Sequence, residues 1–297
     1  MSRVAFVTTD PRQQGWEDDR FAAEALTKEG VEVEFVAWDE GSIAWESFDR
    51  VVVRSAWDYT GRLEEFLEWT ERVGPERLRN RPAVIEWNSD KRYLAEMSGS
   101  GLPVPPTMLL GPGSVPEFED EVVVKPVVGG GARLVGRFGP DDRDSLLELT
   151  ERIWDAGGTA MVQPYLDEVE ASGETAICMF GGEVSHVLRK AAFLPLGEQA
   201  PTGADGIAEA MYDPELVVPG EADRQQLDLA GRTIAWLTAR FGDIPLFTRI
   251  DMIPDGPAGP CLVEVELIEP HFYFEVDREA GGSAADLFAA AVVADLG

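Results

Sequence analysis

Leu246-Phe247-Thr248-Arg249-Ile250-Asp251-Met252-Ile253 and Cys261-Leu262-Val263-Glu264-Val265-Glu266-Leu267-Ile268 are the two stretches whose reading decides the fold of this chain. Both are apolar runs interrupted by charge at every second position, the period of a β-strand. Alternation puts Phe247, Arg249, Asp251 and Ile253 on one face of the first and Leu262, Glu264, Glu266 and Ile268 on one face of the second. The intervening residues, 254–260, are rich in proline and glycine and predict a turn, hence antiparallel pairing. If the register brings Asp251 near Glu264, three carboxylates crowd one arginine and repel one another unless protons or cations intervene. Mg²⁺, an oxygen-seeking ion held by a few carboxylates and by substrate phosphates, resolves that crowding. The plainer alternative is a solvent-facing acidic strand pair in a very acidic chain.

Upstream, Glu121-Val122-Val123-Val124-Lys125-Pro126 is a strand that delivers a lysine to its end, followed by Gly129-Gly130-Gly131 and another strand. Glycines let backbone N–H groups approach phosphate oxygens closely, and the lysine adds fixed positive charge. The Gly-Lys-Ser/Thr entry into a helix is missing, so this is not a Walker P-loop. Taken alone the triplet also fits a flexible turn. A helix over 141–156 is followed by a strand over Thr159–Leu166 that stops at Pro164. Glu170 and Glu174 then precede a hairpin, 175–190, whose Gly181-Gly182 turn is a strong local signal. His186, Arg189 and Lys190 lie on its return strand; a lone strand histidine is more often structural than catalytic, and neither histidine has a partner at metal-ligand spacing. Residues 191–219, containing Thr202-Gly203-Ala204-Asp205-Gly206, read as a lid or as a disordered loop. A packing helix over 221–241 completes the approach to the charged strands.

The first 87 residues alternate strand and helix patterns, with a helix from Trp16 to Glu29 and an amphipathic stretch from Gly61 to Val73, the rhythm of a small parallel sheet. The third strand ends at Arg54-Ser55-Ala56-Trp57-Asp58-Tyr59, where open α/β sheets bind ligands. It is either a substrate wall or an aromatic anchor at a strand end. Asn88, Ser89 or Asp90 caps a helix that carries Lys91 in its first turn and ends by Gly99 or Gly101. A cation there opposes the helix dipole, at a few tenths to about 1 kcal/mol. An anionic ligand at that point would account for it; an exposed surface lysine is the alternative.

The chain has 297 residues, 44% hydrophobic and 27% charged, enough for a substantial core in two or three subdomains. A formal charge of −30 excludes nucleic acid and an anionic membrane surface as partners. Cys178 and Cys261 sit in apolar runs and read as buried free thiols, consistent with a reducing cytosol. With no signal-peptide pattern and no apolar run near roughly 20 residues, a soluble cytoplasmic protein is expected. Four lysines stand against twenty-one arginines, a count that genomic bias explains. Bias does not explain why Lys91, Lys125 and Lys190 sit at the ends of structural units, as a grip on phosphates requires.

In order, Lys91 before Gly101-Leu102-Pro103, the Lys125 strand and its glycine loop, Met161-Val162-Gln163-Pro164-Tyr165, Gly173-Glu174, Arg249-Ile250-Asp251, and Glu264-Val265-Glu266 thirteen residues beyond Asp251 resemble the ATP-grasp superfamily over essentially the whole chain. The resemblance implies an α/β and α+β fold: an N-terminal α/β pre-ATP-grasp domain (1–88), a linker helix and central lid subdomain (89–165), and a C-terminal subdomain with the metal site (166–297), the last two clasping ATP. It further implies that Lys91, Lys125 and Gly129–Gly131 meet the phosphates, Gln163, Pro164, Tyr165 and Leu166 line the adenine pocket, Glu170 meets the ribose, and Asp251, Glu264 and Glu266 bind two Mg²⁺. Arg249 and Lys190 are the catalytic candidates, Arg249 stabilising the phosphoryl group in flight. The superfamily usually has asparagine where this chain has Glu266, which leaves metal number open.

Such enzymes phosphorylate a carboxylate, which an amine then attacks to form a C–N bond. Within the superfamily the Arg54–Tyr59 stretch, the Lys91 segment, the hairpin's return strand and the ending Val263–Phe274 look most like a group that includes the cyclo-ligase of D-cycloserine biosynthesis, which closes O-ureido-D-serine through an internal nitrogen with release of carbon dioxide and ammonia. An intermolecular amino-acid or peptide ligase of the glutathione-synthetase or glutamyl-ligase kind, and a non-catalytic ATP-binding protein, stay open as alternatives. The expected substrate is a small amino-acid-like carboxylate. Candidates for holding it, chosen by residue type and position, are Arg54, Trp57, Asp58, Tyr59, His186, Lys190, Glu269 and Arg278. Arg54 and Arg278 are the natural carboxylate anchors through paired hydrogen bonds, and Asp58 or Glu269 suits an ammonium group. Oligomeric state is not legible.

Overall fold

A computed structural model describes residues 1–9, 15–201, 213, 215–254, 256 and 258–297 of the chain. Thr202–Gly206, the centre of the expected lid, lie outside the described residues. The N-terminal layer consists of β1 (Arg3–Thr8), α1 (Glu17–Lys28), β2 (Glu32–Val36), β3 (Arg50–Ser55), α2 (Leu63–Val73) and β4 (Leu78–Arg79). Its four strands lie in the order β2-β1-β3-β4, all parallel, as the alternation of strand and helix predicts. β1 and β3 are buried on both faces: Val4, Phe6 and Val52 meet Ala22, Ala25 and Leu26 of α1, while Ala5, Val7, Val51 and Val53 meet Phe66 and Trp69 of α2. A 3-10 turn, Trp57–Gly61, intervenes between β3 and α2 and tucks Tyr59 onto Phe66, ring centroids 4.6 Å apart.

Two short helices follow, α3 (Pro82–Asn88) and α4 (Tyr93–Gly99). This corrects the expected single capped helix: Lys91 lies in the turn between them. Asn88 is not a cap but a clamp, donating to the carbonyl of Val265 at 2.7 Å and accepting from the amide of Leu267 at 2.8 Å. The dipole argument for Lys91 therefore falls away.

The chain continues through β5 (Met108–Leu110), β6 (Val122–Pro126), β7 (Gly136–Phe138), α5 (Arg143–Asp155), β8 (Ala160–Pro164), α6 (Glu168–Ser172), β9 (Glu174–Phe180) and β10 (Glu183–Lys190). It ends with β11 (Glu198–Gln199), β12 (Val217–Pro219), α7 (Arg224–Phe241), β13 (Phe247–Ile253), β14 (Cys261–Glu266), α8 (Phe274–Glu279) and α9 (Ala284–Leu296). These strands make two antiparallel sheets, β11-β7-β6-β8-β5 in the middle and β12-β10-β9-β13-β14 toward the C-terminus. α5 covers one face of the central sheet with Leu146, Leu149 and Ile153 on Val122, Val124 and Val162. α7 covers the other sheet with Leu229, Ile234 and Leu237 on Ile177, Met179, Ile250 and Met252. Its start is fixed by a reciprocal cap in which Asp223 and Gln226 each accept the other's backbone N–H.

α8 and α9 return to the N-terminal layer. Phe272, Phe274 and Phe288 pack with Phe6, Phe180 and Phe247 into one buried cluster that joins the parallel sheet to the C-terminal one. Cys178 is buried and free, and Cys261 is free and partly buried. No helix among the described residues is long and apolar enough to cross a membrane.

Candidate active site

The faces of the two antiparallel sheets left uncovered by α5 and α7 look onto one cleft. Its walls include Val123 and Lys125 of β6, Gln163 and Pro164 of β8, Glu174 of β9, Lys190 of β10, Arg249, Asp251 and Ile253 of β13, and Val263, Glu264 and Glu266 at β14. The loop Gly129–Gly131, Lys91, Tyr165, Leu166 and Tyr273 complete the part that concerns the chemistry. Strand period brings Lys125 to this face, since Val122 and Val124 beside it point to α5.

Register does the rest. Asp251 pairs with Glu264 and Arg249 with Glu266 across β13 and β14, and Lys190 pairs with Glu174 across β9 and β10. A bulge between Asp251 and Met252 places Leu262 opposite Met252, in the core, and adds Val263 to the cleft wall. The expected shared face of Leu262 and Glu264 is therefore corrected: the extra residue of a bulge breaks strict alternation. Gly173, just before β9, allows the close approach that seats Lys190, because its φ is +70° and a Cβ there would lie 2.6 Å from the Lys190 carbonyl.

Lys190 Nζ lies 2.7 Å from both Asp251 and Glu174. Arg249 reaches Asp251 at 3.0 Å, bonds Glu266, and donates to the carbonyl of His271 at 2.8 Å. Lys91 Nζ lies 3.1 Å from Glu264 and donates to the Gly129 carbonyl at 2.6 Å. The crowding of three acids on one arginine is thus corrected: at the inner end of the cleft Glu174, Asp251, Glu264 and Glu266 face Lys91, Lys125, Lys190 and Arg249. Lys125 differs from the other three cations, as its ammonium has no hydrogen-bond or ion-pair partner among the described residues.

Burial and pairing set the protonation states. Burial opposes the charge of Lys190 and Arg249, yet Asp251 with Glu174 and Glu266 holds both above their ordinary values. Burial would raise Asp251, but Arg249 and Lys190 hold it at about 2. Against burial, Lys91 and Lys125 lower Glu264. For Glu266 burial wins over Arg249 and pushes the carboxyl up to about 7. Lys125 is lowered, chiefly by burial.

No group of three metal-capable side chains is gathered in ligating geometry among the described residues, the carboxylates being turned toward lysine and arginine. The donor chemistry still fits a hard cation. Asp251, Glu264 and Glu266 offer oxygen only, from adjacent strands, with Glu264 and Glu266 partly open to the cleft.

The structure thus brings Lys91, Lys125, Gly129–Gly131, Gln163, Pro164, Tyr165, Leu166, Lys190, Arg249, Asp251, Glu264 and Glu266 together. Glu170 stands at the rim, accepting from the Tyr165 hydroxyl at 2.8 Å and paired with Arg137, whose guanidinium lies over the Tyr165 ring. The substrate candidates fare differently: Arg54, Trp57, Asp58, Tyr59, His186, Glu269 and Arg278 are absent from the described lining. Arg54, the expected carboxylate anchor, is sealed at 2% exposure, with Asp18 at 3.0 Å and Asp19 at 3.1 Å. His186 is tied by Nε2 to the carbonyl of Phe272 at 2.7 Å. Arg278 lies over Phe21, 4.0 Å from its centroid, on the outer surface. Asp58 accepts from Trp38 Nε1 at 3.1 Å, and Trp57 sits against Trp16. Glu269 is partly buried beside Tyr59, one carboxyl oxygen being inaccessible and without a hydrogen-bond partner among the described residues, and burial pushes its pKa up to about 8.

Glu174 and Tyr273 are cleft residues that the sequence reading did not assign. For Glu174 the Gly173-Glu174 pair was the available signal, and the hairpin register opposite Lys190 supplies its role. Nothing in the local sequence marks Tyr273.

Comparison with known proteins gives a consistent picture. Residues 4–80 match the family described as D-cycloserine synthetase DcsG, N-terminal domain. The cycloserine biosynthesis protein DcsG of Streptomyces lavendulae is 32% identical over 261 residues, covering 83% of this chain and 84% of that one. The crystal structure of D-cycloserine synthetase DcsG superposes with a TM-score of 0.83 at 29% identity, covering 100% of both chains. The D-alanine–D-alanine ligase of Bacillus anthracis, solved with ATP, reaches a TM-score of 0.64 at 13% identity, over 100% of this chain and 98% of that one, a likeness of fold.

Proposed function

This chain belongs to the D-cycloserine synthetase (DcsG) family, on the ATP-grasp fold, and from that premise we propose that it is an ATP- and Mg²⁺-dependent ligase that activates the carboxylate of a small amino-acid-like substrate and closes a C–N bond within it. The substrate we assign is O-ureido-D-serine and the product D-cycloserine: the oxygen-bound nitrogen attacks the acyl phosphate and displaces phosphate, and water removes the carbamoyl group as carbon dioxide and ammonia. The observation that carries this reading is Lys125: a lysine ammonium without an ion pair among the described residues, in a cleft whose other inner cations are all paired, is set to receive an anion.

Lys91, Lys125 and the Gly129–Gly131 loop hold the triphosphate, Gln163, Pro164, Tyr165 and Leu166 the adenine, and Glu170 the ribose. As phosphates take over Lys91, Glu264 is released from its ion pair. Asp251, Glu264 and Glu266 would then hold two Mg²⁺, which neutralise charge on the phosphates. Arg249, oriented by Asp251 and by the His271 carbonyl, stands ready to stabilise the transferring phosphoryl group, and Lys190 keeps Asp251 ionised. Residues 1–88, 89–165 and 166–297 are the working domains of this scheme, although β11 rejoins the central sheet from beyond residue 166. A small-molecule substrate and a soluble, cytoplasmic setting complete the reading.

The test is Mg²⁺-dependent ADP release with O-ureido-D-serine as sole added substrate, with mass spectrometry of the product. ADP with the cyclised product supports the ring closure. ADP release only when an amine is added points to an intermolecular ligase, and no ADP release from any carboxylate overturns the enzymatic reading.

A further inference from the structure

We infer that Tyr273 is a substrate-contacting residue, whose phenol hydroxyl donates a hydrogen bond to a carboxylate oxygen of the acid substrate, and that Asp18, from the other end of the chain, is the residue that positions it. The inference rests on the ligase reading above.

Tyr273 caps the start of α8 in the left-handed conformation, φ 54° and ψ 46°. A bulky L-residue avoids that region, and one found there is held by its surroundings. The holding contacts are all present. Asp18 accepts the amides on both sides of Tyr273, from Phe272 at 2.9 Å and from Phe274 at 2.7 Å. Arg54 fixes Asp18 in turn at 3.0 Å. The Phe272 carbonyl is taken by His186 and the His271 carbonyl by Arg249. The His271 ring lies against the Tyr273 ring, centroids 4.2 Å apart.

This frame points a polar group into the cleft. Tyr273 is 8% exposed and lines the cleft, yet its hydroxyl has no hydrogen-bond partner among the described residues. Burial raises its pKa, so it stays a neutral donor. A neutral hydroxyl donor left unpaired on a cleft wall is set to bond an anionic oxygen of a ligand. The charged groups nearest it in effect are Arg249, Lys190, Glu266 and Asp251, whereas those around Lys125 are Glu264, Lys91, Glu174 and Lys190. Lys125 stands on β6, whereas Tyr273 stands at the start of α8 with its ring against His271, the residue whose carbonyl holds Arg249, so Tyr273 is the one suited to the acid beside the Arg249 end of the cleft.

The experiment compares Tyr273→Phe with wild type in kcat/KM for O-ureido-D-serine at saturating ATP, and in the Kd of a non-hydrolysable ATP analogue with Mg²⁺. One hydrogen bond to a charged group corresponds to a loss of roughly tenfold to a hundredfold in kcat/KM, with nucleotide Kd within about twofold. Asp18→Asn, which can accept one of the two amides, should raise KM for the acid while ATP-analogue binding stays intact. Unchanged kcat/KM in Tyr273→Phe overturns the inference, as does weakened nucleotide binding with acid kinetics intact. If wild type turns over no carboxylate, the ligase reading fails. The Tyr273 contact is then judged separately, by calorimetry of O-ureido-D-serine, D-serine and D-alanine binding to the wild-type and Tyr273→Phe proteins loaded with the analogue: a loss supports it and equal binding, or none to either, sinks it.

Discussion

The charge networks around Arg54 and Arg249 are both buried, and they differ in what they leave open. Around Arg54 every valence is closed: Asp18 and Asp19 take its guanidinium, and each also accepts backbone or hydroxyl donors, Asp18 from Phe272 and Phe274, Asp19 from Ser55 at 2.7 Å and Trp16 at 3.0 Å. Around Arg249 the burial is similar, 3% against 2% exposed, but the partners Glu266 and Glu264 are partly open to the cleft and Lys125 has no ion pair among the described residues. Arginine beside two acids does not by itself mark a binding site. A closed network organises the fold, and one that can exchange partners can bind.

The largest effect that would sharpen this contrast is on stability. Arg54→Ala leaves Asp18 and Asp19 buried without their cation, and an orphaned buried charge costs about 3–5 kcal/mol. We expect a matching drop in the urea-denaturation free energy of the nucleotide-free protein; a change under about 1 kcal/mol would break the comparison. Glu264→Ala should do the reverse, abolishing ATP consumption while the denaturation midpoint holds, since Glu264 is partly exposed and, among the described residues, ion-paired with Lys91 alone. Substantial residual ADP formation would remove Glu264 from the site.

A smaller effect is in pH. Glu266 and Glu269, raised to about 7 and about 8 against an ordinary 4.5, hold protons in the folded chain that the unfolded chain has released. Between about pH 5 and about pH 8 the folded state therefore binds more protons, and stability of the nucleotide-free protein falls as pH rises. Asp251, lowered to about 2, works the other way, its contribution present above the ordinary aspartate value and lost as pH falls toward 2. Glu269→Gln mimics the protonated carboxyl and should flatten the decline between about pH 7 and about pH 8, read from thermal midpoints across that range. An unaltered slope would contradict the neutral state of Glu269.

Much of the cleft was legible because strand period and turns are local. The Gly181-Gly182 hairpin and the alternation of Arg249 and Asp251 follow from residues a few positions apart. The bulge at Val263 was not legible, since it depends on how β14 meets β13. Nor was the position of Lys91, which follows from Asn88 docking on a strand more than 170 residues away. The closure of Arg54 shows the same limit. Arg54 reads as an available cation until α1 delivers Asp18 and Asp19, and the backbone around Tyr273 is set by Asp18 through the amides of Phe272 and Phe274, 254 and 256 residues away. Pairing between distant segments decides which charges remain free to bind.

The central claim is that the network with exchangeable partners is the nucleotide site and Lys125 its open valence. Calorimetric titration of a non-hydrolysable ATP analogue with Mg²⁺ into wild type and Lys125→Ala tests it directly. The account predicts binding to wild type and at least about a tenfold loss in the variant, as for a charge-assisted contact of about 1.5–3 kcal/mol; equal affinities, or no binding to wild type, would contradict it.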